Sequence, residues 1–322
     1  MPATLLYNAH HGGLFFMHFY QRHFKKPALS VDEQLHFLIQ QGLLIADKEQ
    51  AAAALTTIGY YRFSGYALPF KQPHHPPGQH RCYKPNTTFE QIYHIYQFDK
   101  ALRLLVSDAI ETIEVAFRAV MGNEMATRYG THWYVEQNHF SHLGQHQAFL
   151  TSIKKLVHDK AELFIKHYYA NYEYPPLPPV WMVMESISFG SCSKLFSNIK
   201  RLADKKAISH FFHVHPTLLE SWLMTLTYTR NLCAHHARLW NRWFVVTPIL
   251  PKQYMAIHHR ISATDPHFIR VAFIIIQLLK TINPNATWKV DLQLLFQHYP
   301  QVPIQSLGFI KEWQRDPFWE IA

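Results

Sequence analysis

Glycine is scarce in this chain, at 11 of 322 residues, and cysteine is scarcer, at three. So few glycines argue against a Gly-rich nucleotide loop or a turn-dense β-sandwich. Cys82, Cys192 and Cys233 are odd in number and widely spaced, with no Cys-x-x-Cys. That pattern fits free thiols in a reducing cytoplasm and argues against a disulfide framework or a structural zinc site. Charge is thin as well, with Asp, Glu, Lys and Arg making 16% of the chain against about a quarter in ordinary domains. Together with 48% apolar and 15% aromatic residues, this excludes a disordered chain and supplies a sizeable core. Long apolar runs are missing too. The longest candidate, VAFIIIQLL from Val271 to Leu279, is too short for a bilayer, which takes about 20 residues, and reads as a core helix.

What charge there is leans one way. Lys and Arg number 31 against 22 acids, a formal +9, and 24 histidines can add to it. Such a balance suits a polyanionic partner, nucleic acid first and an anionic membrane second, or simply a slightly basic soluble protein. The opening MPATLLYNAHHGGLFF has no basic start, and Asn-His-His interrupts its apolar stretch, so it is not a good signal peptide. Met17 offers a second beginning, and residues 1–25 are expected to be a flexible tail or start-site extension.

Helical periodicity dominates the rest. Ser30 stands three residues before Glu33 ahead of an apolar stripe, a capping-box pattern, and Gly42 marks the stop. A second helix is expected from about Asp47 to Ile58. GYYRFSGYALPFK (59–71) reads as a bend or short hairpin, and KQPHHPPGQH (71–80) as a loop. Residues 88–129 carry the longest three-and-four pattern, and 143–170 another. After YPPLPP (174–179), WMVMESISFGSCSKLFSNI reads as a helix interrupted or bent near Gly190. Further helices are expected at about 203–212, 216–243, 264–282 and 289–298. The fold class is mostly α, a helical bundle with N- and C-terminal additions. The expected divisions are 26–87, 88–248 and 249–322.

The segment RNLCAHHARLWNR (230–242) raises the functional question. On a helical wheel, Leu232, Cys233, Leu239, Trp240 and Trp243 fall on one arc. Arg230, Asn231, His235, Arg238 and Asn241 fall on the other. His235 joins the polar arc, and His236 the apolar one, where it should be buried. Solvated faces usually carry Glu and Lys, yet this one has no acid after Glu220. Arg offers a phosphodiester a planar fork of donors, and His moves protons near neutral pH. Arg plus His, without metal ligands, is enough to cleave RNA through its own 2′-hydroxyl, leaving a 2′,3′-cyclic phosphate. A basic face may equally only bind, and paired histidines only pack. Cys233 is a weak nucleophile candidate because it lies on the apolar arc.

The stretch RNxxAHH…RLWNR resembles the signature of the Abi-like (AbiD/AbiF) family of bacterial abortive-infection proteins, within the HEPN superfamily. KPALSVDEQLHFLIQQGLLI, GYYRFSGYALPF, FEQIYHIYQFDKALRLLVSDAIETIEVAFRA, RYGTHWYVEQNHF, PPVWMVMESISFGSCSKLFSNI and SLGFIKEWQRDPFW resemble its successive blocks in order. The resemblance implies a HEPN-type bundle and an Arg-x4–6-His site. Arg230 and His235 satisfy that spacing, as does His236, with Asn231 the polar companion. It further implies a ribonuclease needing no metal or cofactor, a composite site across a two-fold homodimer, and a toxin-like role in phage defence. In some relatives a small noncoding RNA antitoxin restrains the toxin. A bacterial cytoplasmic location, an RNA substrate and no membrane partner follow.

Other residues keep two readings. Tyr96, Asp99 and Arg103 share a helix face, either as a structural ion pair or with Asp99 orienting the catalytic Arg or His. Glu111, Glu114 and Arg118 pose the same choice, with Glu114 packed against Arg230 or another basic group. Tyr61, Arg62 and Tyr66 either stack on unpaired bases or pack an aromatic corner. His236, Arg238 and Asn241 are candidate supports. The competing functions are a non-catalytic RNA-binding regulator and a phage-sensing interaction protein using the same basic face.

Overall fold

In the computed structural model, which describes residues 27–73, 81–159, 162–251, 267–310 and 312–319, helix starts follow side-chain caps. Ser30 accepts from the Glu33 N–H while Glu33 reaches back to the Ser30 N–H, closing the capping box on α1 (Val31–Gln40). Asp47 caps α2 (Lys48–Ile58), and Thr88 caps α4 (Phe89–Tyr129). Each such cap contributes about 1 kcal/mol. Gly42, at φ 86°, ends the first helix where expected.

α4 is the organising rod. Its 41 residues bury a stripe running from Phe89 through Ile95, Leu102, Ile110 and Phe117 to Met125, a length of about 60 Å. Around it pack α3 (Tyr60–Ala67), α7 (Val180–Ser186), α8 (Phe189–Asn198), α9 (Leu202–Phe211) and α10 (Pro216–Ala234). α11 (Ile269–Ile282) and α12 (Trp288–His298) pack on it as well. α11 is apolar nearly all round, and its run from Ile269 to Ile275 is buried, as such a pattern requires. α5 (Leu143–His158) and α6 (Leu163–Asn171) complete the twelve helices of the described residues. Among these residues strand pairing is limited to isolated bridges, Leu44–Thr88, Lys71–Tyr83 and Phe140–Ile199. The fold is mostly α, as the periodicity indicates.

Several local expectations need correction. GYYRFSGYALPF is no hairpin: it forms α3 and a 3-10 turn, Leu68–Phe70. Phe63, Tyr66 and Ala67 recur at helical spacing and are buried, so docking on α4 overrides the strand preference of the aromatics. The 143–170 pattern is two helices. α6 is anchored separately by Tyr168, whose hydroxyl donates to the Pro175 and Leu177 carbonyls at 2.7 and 3.1 Å. The interruption expected near Gly190 falls at Ile187–Ser188, where Ser188 caps α8. Gly190 instead lets α8 approach α10, since a Cβ there would lie 3.2 Å from Thr227 Cγ2. The helix expected over 216–243 stops at Ala234. The tail 1–25, most of the KQPHHPPGQH loop and the start of the 264–282 helix lie outside the described residues.

Candidate functional site

α10 ends without glycine. His235 is its C-cap and His236 takes a left-handed φ of 54°. The His236 N–H donates to Cys233 O at 2.9 Å and the Ala237 N–H to Leu232 O at 2.8 Å. That pair of bonds is a Schellman motif, with His236 in the place glycine usually holds. The wheel for residues 235–243 therefore fails, because the chain leaves the helix there. His236 is exposed rather than buried, and Trp243, assigned to the apolar arc, is 66% exposed.

The loop beyond the turn is held firmly. Asp99 of α4, fully buried, accepts from the Trp240 N–H at 2.7 Å and the Leu239 N–H at 3.1 Å. Its other oxygen accepts from the Tyr66 hydroxyl at 2.6 Å and from Arg103. Burial pushes the Asp99 carboxyl above its usual range, against the pull of Arg103 and the three other donors. Burial likewise opposes charge on Arg103, but Asp99 and Tyr66 together offset it and the guanidinium is held protonated. Tyr66 is buried in this knot with its hydroxyl pushed up by burial and by Asp99, so it does not stack on bases.

Two arginines extend the clamp. Arg238 donates to the Gly65 carbonyl and, at 3.3 Å, to Asn241 O. Arg62 donates to the His236 carbonyl at 2.5 Å, tying α3 to the end of α10. The Asn241 N–H donates to Ser306 O at 3.1 Å and Trp240 Nε1 to Pro303 O at 3.1 Å. Asp99 and Arg103 thus form an ion pair that also positions the segment following the histidines. Tyr61 is 92% exposed beside Arg62.

The residues ahead of the turn behave differently. Arg230, Asn231 and His235 are exposed, and their side chains make no hydrogen bond or ion pair with the described residues. Asn231 and His235, four apart, occupy one stripe, since the C-cap keeps near-helical angles of −89° and 12°. Arg230 and Ala234, on the neighbouring stripe, line an open cleft of about 430 Å³ with Ser107, Glu111, Glu114 and Arg118 of α4. Glu114 pairs with Arg118 rather than Arg230, and Arg118 also donates to the Met184 carbonyl. Glu185 of α7 lines the same cleft and was not anticipated. Its signal was its isolation: it is the only acid between Glu173 and Asp204. Cys233 is 5% exposed and burial pushes its thiol up to about 11, which removes it as a nucleophile.

Fold and site define a mostly helical protein in which exposed Asn231 and His235 share one stripe at the end of a helix, exposed Arg230 lines the cleft beside it, and a buried carboxylate knot holds the loop that follows. The model of the Abi-like protein family matches residues 53–241, more than half of the chain, and the chain belongs to that family. The matched span runs from α2 to Asn241, so it includes the knot and the whole exposed cluster. No curated protein and no solved structure matches the chain. Among the described residues no helix is long and apolar enough to cross a membrane.

Proposed function

We propose that this chain is a metal-independent endoribonuclease of the abortive-infection type, built on a HEPN-type bundle. One observation carries the reading. The side chains of Arg230, Asn231 and His235 have no hydrogen-bond or ion-pair partner among the described residues, while the residues that follow them are tied into the fold. Polar side chains kept free on a rigid frame are arranged for a ligand rather than for stability. Membership of the Abi-like family supports a role in abortive infection.

In this mechanism the RNA 2′-hydroxyl attacks the adjacent phosphorus and the bond to the 5′-oxygen breaks. The products are a 2′,3′-cyclic phosphate and a free 5′-hydroxyl. Arg230 neutralises charge growing on the phosphoryl oxygens, and Asn231 orients the phosphate or the imidazole. His235 either takes the 2′-hydroxyl proton or gives one to the departing 5′-oxygen. The second proton transfer falls to the His235 of another copy across a two-fold axis, so the active form is a homodimer.

The test is cleavage of single-stranded RNA by the purified protein, with the product ends identified. Wild type should cut in the presence of EDTA and leave 2′,3′-cyclic phosphates. Arg230→Ala and His235→Ala should each lose at least about 100-fold in rate with unchanged thermal unfolding. If His235→Ala cuts like wild type, the mechanism is wrong. An RNA-binding regulator would instead lose affinity with Arg230→Ala and tolerate His235→Ala.

A further inference from the structure

At the end of α4 remote from the Arg230 cleft, the block RYGTHWYVEQNHF meets the junction of α8 and α9. Asp204, buried to 1% exposure, organises the meeting. The Tyr129 hydroxyl donates to its Oδ1 at 2.9 Å, and Arg128 Nη1 to the same oxygen at 3.3 Å. Arg201 Nη1 donates to the Tyr129 hydroxyl at 3.2 Å. The Tyr129 and His139 rings lie 4.3 Å apart between centroids, tilted by 44°. The Lys200 N–H donates to the His139 carbonyl at 2.8 Å, beside the Phe140–Ile199 bridge.

The result is a prearranged set of cations. Arg128, Lys200 and Arg201 are exposed. Asp204 and Glu124 offset Arg128, and Glu220 pairs with Lys205 at 2.5 Å, which leaves Lys200, Arg201 and Lys206 as the cations with no acidic partner among the described residues. In KRLADKK (200–206), Lys200, Arg201, Lys205 and Lys206 surround that one buried acid. A buried carboxylate shared through a phenol holds the Arg128 and Arg201 guanidiniums to either side of Tyr129, so little side-chain freedom is lost when they grip an anion. The half-buried Tyr129 and His139 rings add a surface on which a base can stack. Neither a buried ion pair nor helix packing accounts for exposed Lys200 and Arg201 at this place.

We infer that this cluster is a second RNA-binding site, which grips the phosphodiester backbone away from the bond that is cut; it rests on RNA being the substrate, as proposed above. From the cleft residues Arg118 and Glu111 to Arg128, α4 rises about 15 to 25 Å, a span of a few nucleotides of single strand. The two sites are too far apart to share one phosphate, and a single strand can reach both.

A binding measurement tests this independently of cleavage. An unstructured, fluorescent 2′-O-methyl RNA oligonucleotide, which cannot be cut through its 2′-hydroxyl, is titrated into the full chain at several salt concentrations. The variants are Lys200→Ala with Arg201→Ala, a single Arg128→Gln that keeps a donor for Asp204, and Lys154→Ala with Lys155→Ala on exposed α5 as a control. The patch double variant should bind about tenfold more weakly, with the slope of log K against log salt reduced by about 1.4 for two lost contacts; the control should stay within about twofold. Arg128→Gln should weaken binding with unfolding unchanged. Wild-type affinity in the patch variants overturns the inference, as does an equal loss in the control. Lost binding to phosphatidylserine vesicles with RNA affinity intact would assign the patch to a membrane surface and also overturn it. Unmodified RNA of the same sequence that is held through the patch but never cut would defeat the ribonuclease reading alone.

Discussion

Asp99 is buried and accepts hydrogen bonds from Tyr66, Arg103, Leu239 and Trp240, whereas the Arg230 side chain, at the other side of the same turn, is exposed and donates to none of the described residues. Residues 230–236 and 237–241 are consecutive in sequence, and each carries an Arg and an Asn. Their duties are opposite. The second group is bound to backbone carbonyls and to the buried Asp99 carboxylate, and the first leaves the Arg230, Asn231 and His235 side chains exposed. Arginine at 230 and arginine at 238 are thus different residues in function, because one has a carbonyl to bind and the other has a cleft. The comparison teaches that the immobile part of a site need not touch the ligand.

The contrast can be broken most severely at its buried end. Asp99→Ala leaves Arg103 charged and unpaired and strands two backbone N–H groups. It should cost about 3–5 kcal/mol in denaturant unfolding, and RNA cleavage should fall with it. Tyr66→Phe removes one donor to the carboxylate and should cost about 1.5–3 kcal/mol while leaving the charges paired; chemical unfolding midpoints will separate the two. The smallest effect has the opposite sign. His236→Gly relieves a left-handed backbone position and should raise stability by up to about 1 kcal/mol. Cleavage should persist in that variant, because His235 alone is assigned the proton transfer. Loss of cleavage in His236→Gly with full stability would move that role to His236.

Much of the frame was legible in the sequence because it rests on local rules. Ser30 with Glu33, Asp47 and Gly42 announce helix ends within a few residues of where they act. The α4 stripe is long enough for its period to be unmistakable. The end of α10 was not legible, since the left-handed residue is His236 and no glycine or proline warns of the turn. α3 was misjudged because its aromatics suit a strand locally and are made helical by packing on α4. In the candidate site, the exposure of Arg230, Asn231 and His235 agrees with their polar arc, whereas the wheel misplaced His236 and Trp243. Asp99 could be paired with Arg103 from spacing alone, but its bonds to Leu239 and Trp240 join positions that no local pattern connects.

Those last bonds have a consequence for synthesis. Asp99 and Trp240 are separated by 141 positions, so the frame behind Arg230 and His235 closes only after the chain past Trp240 has left the ribosome. Contacts this distant in sequence form late, because the intervening chain must be gathered before they return anything. A nascent or truncated chain that stops at His236 carries every proposed reacting side chain but lacks the loop that Asp99 holds. If the proposed activity holds, unfinished copies lack the frame that it needs while their own message is still being read.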